Sequence, residues 1–152
     1  VGMALGLKID QKKHQVYALL GDGELSEGSI WEAAMTASKY ELENLTAIID
    51  RNRLQITGST EEVNPIEPLK DKFLSFGFNV IEVEGNDIAS LVEVFNQSKK
   101  EKNKPNLIIA NTTKGAGISF MENQVSWHHK VPSQSEYDLA IHELNEAFEN
   151  VQ

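Results

Sequence analysis

The sequence predicts an α/β fold in which helices cover both faces of a parallel sheet. Short apolar runs of strand length alternate with longer segments of helical periodicity along the chain. Such alternation is typical of parallel sheets, because each crossover between parallel strands carries a helix. The chain has 152 residues, 40% of them hydrophobic, which suffices for one core. We therefore expect a single domain over residues 1–152.

The predicted elements follow one another in a regular order. Strands are expected at about 15–20, 45–50, 78–83 and 106–112. Helices are expected at about 28–42, 66–76, 87–101 and 134–149, and the apolar start of the chain at 1–8 also favours a helix. Proline precedes the 66–76 helix at positions 65 and 68, where a missing N–H costs least, and Gly77 stands just beyond that helix as a C-terminal cap. Asn86 or Asp87 can cap the start of the next helix.

Composition and charge argue against several functional classes. The formal net charge is −9, which disfavours a nucleic-acid-binding surface. No apolar run approaches the roughly 18 residues that a membrane span requires. The chain contains no cysteine, so disulfides and thiolate metal sites are excluded. Together with the lack of a secretory signal, this favours a cytoplasmic protein.

Oxygen-bearing side chains follow two neighbouring predicted strands. Asp22, between two glycines, comes directly after strand 15–20, and Asn52 follows strand 45–50. Glycine lets the backbone turn sharply and approach a ligand, and Mg²⁺ combines a few protein oxygens with phosphate oxygens and water. The pattern therefore predicts a divalent cation that carries a diphosphate, near the start of the next helix, whose N–H groups favour phosphate. An ordinary turn is the alternative for Gly-Asp-Gly alone. A further glycine-containing segment, 114–117, follows the last predicted strand, with a plain loop as its alternative.

The words around these residues resemble transketolases. GDGELSEGSIWEAA at 21–34, DRNRLQI at 50–56, TKGAG at 113–117 and SFMEN at 119–123, with Trp127-His128, are similar to the amino-terminal half of that family, especially the form split between two chains. The resemblance covers nearly the whole sequence. It implies the diphosphate-binding domain of a thiamine diphosphate enzyme. Because the chain starts abruptly within an apolar helix, we expect an upstream part of that domain to be missing.

The resemblance implies a cofactor site built from these motifs. The side chains of Asp22 and Asn52 and the main-chain carbonyl of Leu54 would bind Mg²⁺, for which Ca²⁺ or Mn²⁺ can substitute. Thiamine diphosphate would lie against this ion, with the Gly23 N–H near its diphosphate and Ile56 against its thiazolium ring. The other implied cofactor contacts are Gly21, Glu24 and His128.

Catalytic roles are implied for a histidine and two glutamates. His128 matches the family histidine that contacts the cofactor phosphates and the reacting substrate, although the adjacent His129 leaves the choice between the two open. Glu27 and Glu32 match acids that lie at the family's dimer interface and link its two active sites. Acids favoured by the dipole at a helix start are the alternative for both. Thr57 replaces an aspartate that many transketolases have in this turn, outside the ligand set.

The implied reaction is two-carbon ketol transfer from a ketose phosphate to an aldose phosphate, as in the pentose phosphate pathway. The family's catalytic glutamate belongs to a separate pyrimidine-binding domain or subunit. We therefore expect this chain to be inactive alone and to work in a homodimer or heterotetramer. The alternatives are a deoxyxylulose-phosphate synthase, the alpha subunit of a 2-oxo-acid dehydrogenase, and a non-catalytic cofactor-binding fragment.

Overall fold

The computed structural model of the protein describes residues 1–149, so positions 150–152 of the predicted domain lie outside the described part. The α-helices are α1 Gly2–Ile9, α2 Gly28–Lys39, α3 Thr60–Val63, α4 Leu69–Ser75, α5 Ile88–Ser98 and α6 Gln134–Glu149. The strands are β1 Val16–Gly21, β2 Leu45–Arg51, β3 Leu54–Gln55, β4 Gly58–Ser59, β5 Asn79–Glu84 and β6 Asn106–Asn111. Short 3₁₀ helices span Gly23–Ser26 and Val125–His128. Within residues 1–149, every helix is too short or too polar to span a bilayer.

Four strands form one parallel sheet in the order β1-β2-β6-β5. The two central strands, β2 and β6, are buried along most of their length, as expected of strands that are covered on both faces. The register pairs Gly21 of β1 with Asp50 of β2, and Arg51 of β2 with Asn111 of β6. Three strands therefore end level with one another at the same edge. The predicted fold class is confirmed.

Helices cover both faces of this sheet, because alternate residues of the central strands point to opposite sides. Ile49 joins a core cluster that includes residues of α1, α2 and α4, among them the fully buried Phe73. Its neighbour Ile48 joins a second cluster with Val83 of β5 and Val94 of α5. The polar edge where the strands end thus lies between two apolar layers.

The predicted helix over 28–42 ends earlier, at Lys39, for a reason that lies in the packing. Glu41 adopts a left-handed conformation with φ 47°, and the Leu42 N–H donates to the carbonyl of Ala37 at 3.1 Å. This closing arrangement normally uses glycine. Here it places Leu42, which is fully buried, in the core, so the sequence carries no local signal for the stop.

Other boundaries shift by a few residues, and some elements were not predicted. The 66–76 helix begins at Leu69, because Pro68 is its extended cap residue. The Asp87 carboxylate caps α5 by accepting the Ala89 N–H at 3.0 Å, as predicted. The β3–β4 hairpin and α3 were missed, since elements of two to four residues carry no periodic pattern.

Gly77 closes α4, as the sequence predicts. Its φ is 88°, and its N–H donates to the carbonyl of Leu74 at 2.9 Å while the Phe78 N–H reaches Phe73 at 3.1 Å. A Cβ at position 77 would lie 2.7 Å from the Ser38 hydroxyl oxygen. Both the backbone conformation and this close approach require glycine.

We predict that Gly77→Ala lowers the free energy of unfolding by about 1 to 2 kcal/mol, the cost of a left-handed alanine, with a further loss if Ser38 cannot move. Urea denaturation of the protein measures this change. Gly6→Ala in α1 is the matched control, because a Cβ there meets nothing within 4 Å and alanine favours the helix. Equal stability of the Gly77→Ala protein and the wild type would contradict the prediction.

Candidate functional site

The level ends of β1, β2 and β6 open onto a cleft of about 620 Å³. Ligands of open parallel sheets bind at this carboxyl edge. A second cavity of about 270 Å³ beneath α2 is lined almost entirely by apolar side chains and offers no ligand set for a cation. The residues lining the cleft come from segments far apart in sequence: Gly21, Asp22, Gly23, Glu24, Glu27, Asp50, Asn52, Leu54, Gln55, Ile56, Thr57, Lys114 and His128.

The Asp22 carboxylate is held in one orientation. It is 1% exposed, and its Oδ1 accepts the Gly23 N–H at 2.8 Å. Its Oδ2 accepts two donors, the Arg53 N–H at 2.5 Å and the Arg51 guanidinium at 3.0 Å. A carboxylate oxygen has two lone pairs, so Oδ1 retains acceptor capacity and Oδ2 does not.

Asn52 shapes the turn that follows β2. Its Oδ1 accepts the Leu54 N–H at 3.0 Å, which is a typical side-chain mimic of a backbone turn. Arg53, between them, has φ 66°. The turn carries the chain directly into the β3–β4 hairpin, whose tip contains Ile56, 59% exposed. The hairpin therefore places an exposed apolar side chain beside the polar ends of the strands.

Gly23 and Gln55 meet on one wall of the cleft. A Cβ at position 23 would lie 2.7 Å from the Cβ of Gln55, so this contact requires glycine. The Gln55 amide nitrogen, Nε2, is buried and has no hydrogen-bond partner within the protein. Buried polar groups are normally paired, so this donor next to the Gly23 backbone fits an acceptor supplied by a ligand.

His128 reaches the cleft through the long segment after β6. The Asn123 N–H donates to the Lys114 carbonyl at 2.9 Å, which folds the segment back on itself. The Trp127 indole N–H then donates to the Phe120 carbonyl at 3.0 Å. The 3₁₀ helix that ends at His128 is thereby set beside β3.

The two neighbouring histidines differ in their position. His128 lines the cleft, whereas His129 is not among the lining residues; the two rings lie 4.7 Å apart. Partial burial lowers the pKa of His128, and the positive charges of Lys114 and His129 lower it further. His128 is therefore mainly neutral at pH 7, where an imidazole can both accept and donate a hydrogen bond.

The predicted acidic residues separate into two groups. Glu24 lines the cleft and its Oε2 accepts the Gly21 N–H at 3.0 Å. Glu27 also lines the cleft, just before α2. Glu32 lies on α2, is exposed, and is not brought to the cleft. An interface role for Glu27 and Glu32 stays a prediction.

Sequence reasoning missed Arg51 and the side chains of Gln55 and Lys114. Arg51 is 3% exposed. Burial opposes its charge, but hydrogen bonds to Glu67 and Asp22 outweigh that effect and raise the pKa of Arg51. The available signals were a charged residue inside an apolar strand and a lysine directly after a strand end.

The cleft is acidic. Its lining side chains include four carboxylates, those of Asp22, Glu24, Glu27 and Asp50, against one lysine, Lys114. Within residues 1–149, no group of three or more histidine, aspartate or glutamate side chains is arranged to hold a metal ion. A cation here would therefore be bound by one carboxylate together with amide, carbonyl and ligand oxygens, a combination that suits Mg²⁺.

Comparison with known proteins identifies the family. A family model described as transketolase, thiamine diphosphate binding domain, matches residues 7–144. The chain belongs to the transketolase family. The resemblance predicted from the motifs is thus confirmed, and the matched part is the family's cofactor-binding domain.

Relatives within the transketolase family include named subunits of split enzymes. The chain is 45% identical over 152 residues to one subunit of the apulose-4-phosphate transketolase of Phocaeicola vulgatus, covering 100% of this chain and 54% of the relative. It is 49% identical over 146 residues to the subunit of the same name from Actinobacillus succinogenes, covering 96% and 52%. The chain thus spans about half the length of these curated relatives.

Solved transketolase structures share the fold. The transketolase of Campylobacter jejuni superposes with a TM-score of 0.79 at 27% identity, covering 96% of this chain and 28% of that chain. A Pichia stipitis transketolase variant gives a TM-score of 0.69 at 27% identity, covering 91% and 24%. The α/β architecture is therefore that of part of the transketolase polypeptide.

We predict that Lys114→Met raises the pKa of His128 towards its ordinary value, because the substitution removes one of the positive charges that lower it. NMR titration of the imidazole resonances measures this shift. Lys130→Met is the matched control, since Lys130 stacks on Trp127 at 4.1 Å from the ring centre and is not among the causes of the shift. An unchanged His128 titration in the Lys114→Met protein would refute the electrostatic coupling.

Proposed function

We propose that this chain is the diphosphate-binding part of a transketolase and that its cleft holds thiamine diphosphate through Mg²⁺. One observation carries the proposal. The Asp22 carboxylate and the Asn52 amide follow adjacent parallel strands and line the same cleft. Both are oxygen ligands of the kind that Mg²⁺ prefers.

The charge of the cleft supports a cation as the partner of the diphosphate. Four carboxylates and one lysine line it, so a bare diphosphate would meet net repulsion. A divalent ion between Asp22 and the phosphates reverses this balance locally. In this proposal the Asp22 and Asn52 side chains and the Leu54 carbonyl hold the ion, and Ca²⁺ or Mn²⁺ can replace Mg²⁺.

The remaining wall residues suit the rest of the cofactor. The backbone at Gly21 and Gly23, the unpaired Gln55 amide and the Lys114 ammonium are donors for phosphate oxygens. The exposed Ile56 at the hairpin tip supplies an apolar surface for the thiazolium ring. Glu24 holds the Gly21 backbone and so acts on the cofactor indirectly.

When bound, thiamine diphosphate supplies the electron sink for breaking a carbon–carbon bond beside a carbonyl. This chain binds and orients the cofactor, and His128 accepts or donates a hydrogen bond at the reacting oxygen of the substrate. A neutral imidazole at pH 7 suits that role. The proposed reaction is ketol transfer between a ketose phosphate and an aldose phosphate.

The proposed enzyme includes a partner chain. The matched relatives are each named as one subunit of a transketolase, so we propose that a second subunit contributes the pyrimidine side of the cofactor site. Glu27 at the cleft and Glu32 on the exposed face of α2 are the residues that we propose to meet a partner chain. A homodimer or a heterotetramer satisfies this arrangement.

Calorimetric titration of thiamine diphosphate into the protein assembled with its partner, in the presence or absence of Mg²⁺, tests the proposal. We expect binding that depends on Mg²⁺. A coupled assay then compares sugar phosphates with pyruvate as donors, and turnover of sugar phosphates alone is expected. Binding without any dependence on a divalent ion would refute the metal site, and turnover of pyruvate alone would refute ketol transfer.

We predict that Asp22→Asn and Asn52→Ala each weaken Mg²⁺-dependent binding of thiamine diphosphate by more than about tenfold, since each removes a metal ligand. The same titration measures both. Asp138→Asn is the matched control, because Asp138 lies exposed on α6 and pairs with Gln134. Near wild-type affinity in both site variants would exclude these residues as ligands.

We predict that His128→Ala lowers kcat about a hundredfold, the usual contribution of a positioned proton-transfer group, while cofactor affinity changes less. His129→Ala is the matched control because it removes the adjacent ring that does not line the cleft. Steady-state kinetics of both variants measure the difference. Loss of turnover in His129→Ala with normal activity in His128→Ala would reverse the assignment.

A further inference from the structure

Arg51 is a buried cation with carboxylates on two sides. Its Nη1 donates to Asp22 Oδ2 at 3.0 Å and to the Thr60 hydroxyl at 2.8 Å. Its Nη2 donates to Glu61 at 3.1 Å and to Glu67 at 2.8 Å. The side chain is 2% exposed, as against 41% for Glu61 and 51% for Glu67. Arg51 therefore joins the buried Asp22 to two acids at the surface.

The charges of Arg51 and Asp22 depend on each other. Both side chains are almost completely buried, at 2% and 1% exposure, and an unpaired charge in such a place is strongly disfavoured. Arginine suits this position because its planar fork donates in several directions and keeps its charge. Without it, the buried Asp22 would lose the partner that favours its ionised form.

The pairing also selects which oxygen of Asp22 remains open. Arg51 and the Arg53 N–H both donate to Oδ2, whereas Oδ1 accepts the neighbouring Gly23 N–H alone. A carboxylate fixed in this way presents Oδ1 to a further ligand without having to reorient. Outer partners that fix a ligand's orientation in this way commonly tune metal affinity.

The other arm of Arg51 holds the support of the hairpin. Thr60, Glu61 and Glu67 belong to the segment that follows β4, and the Thr60 N–H donates to the Arg53 carbonyl at 3.0 Å. This segment therefore backs the turn that carries Leu54. Arg51 links it to Asp22, so one side chain fixes two parts of the cleft relative to each other.

We propose that Arg51 is a positioning residue for the divalent cation: it orients the Asp22 carboxylate and locks the 60–67 segment behind the Leu54 turn. The inference rests on the proposed function, because it concerns the cation that is proposed to hold the diphosphate. Arg51 acts through Asp22 and does not itself touch the ion.

The test compares cation affinity in variants of the natural protein assembled with its partner. Arg51→Met keeps the length of the side chain but removes its charge and donors, and Arg51→Lys keeps the charge but not the fork. Glu67→Gln weakens the outer arm and leaves the contact with Asp22. Lys8→Met is the control, because it breaks the Lys8–Glu43 ion pair, which precedes β2 at the opposite edge of the sheet.

Titration of Mg²⁺ at saturating thiamine diphosphate, and electron paramagnetic resonance with Mn²⁺, measure the affinity, and thermal unfolding without the cation measures stability. We expect Arg51→Met to weaken cation binding by about 10- to 100-fold and Arg51→Lys to weaken it less. Glu67→Gln and Lys8→Met are expected to keep near wild-type affinity, whatever their effect on unfolding.

Three outcomes would overturn the proposal. A folded Arg51→Met protein with wild-type cation affinity would make Arg51 a structural residue only. An equal loss of affinity in Glu67→Gln would assign the effect to the loop and not to Asp22. If Arg51→Met does not fold, Arg51→Lys decides, and wild-type affinity there overturns the positioning role. Absence of cation-dependent binding in the wild-type protein would instead refute the proposed function itself.

Discussion

The parallel register of β2 between β1 and β6 is the constraint on which the cleft depends. It sets Gly21 level with Asp50 and Arg51 level with Asn111, so residues far apart in sequence leave the sheet at one edge. The register is fixed by burial on both faces, where Ile48 and Ile49 enter opposite core clusters. A slip by one residue would exchange these faces and would also separate Asp22 from the turn at Asn52.

The polar edge of the sheet is stabilised by a small set of charge-assisted hydrogen bonds. Asp22 accepts donors from both the sheet and the turn, and its N–H extends the ladder by donating to the Asp50 carbonyl at 3.2 Å. Such a preorganised carboxylate needs no rearrangement to receive a cation. The same order that stabilises the ends of the strands therefore prepares the proposed site.

Much of the fold and of the site was predictable, and the failures have physical causes. The β2 and β6 strands are apolar runs buried on both faces, and the caps at Gly77 and Asp87 are local, so one sequence suffices to find them. The stop of α2 depends on the burial of Leu42, which a local pattern does not contain. The hairpin bearing Leu54 and Ile56 is too short to have a period.

The sequence by itself determined the α/β class, the family and the candidate ligands Asp22 and Asn52, because these are carried by periodicity and by contiguous motifs. Only the tertiary structure decided which distant groups meet them. It placed His128 at the cleft in preference to His129, brought Lys114 and Gln55 to its walls, and paired Arg51 with Asp22. These contacts arise because parallel strands and their long connections converge in space at one edge, and linear spacing does not encode that convergence.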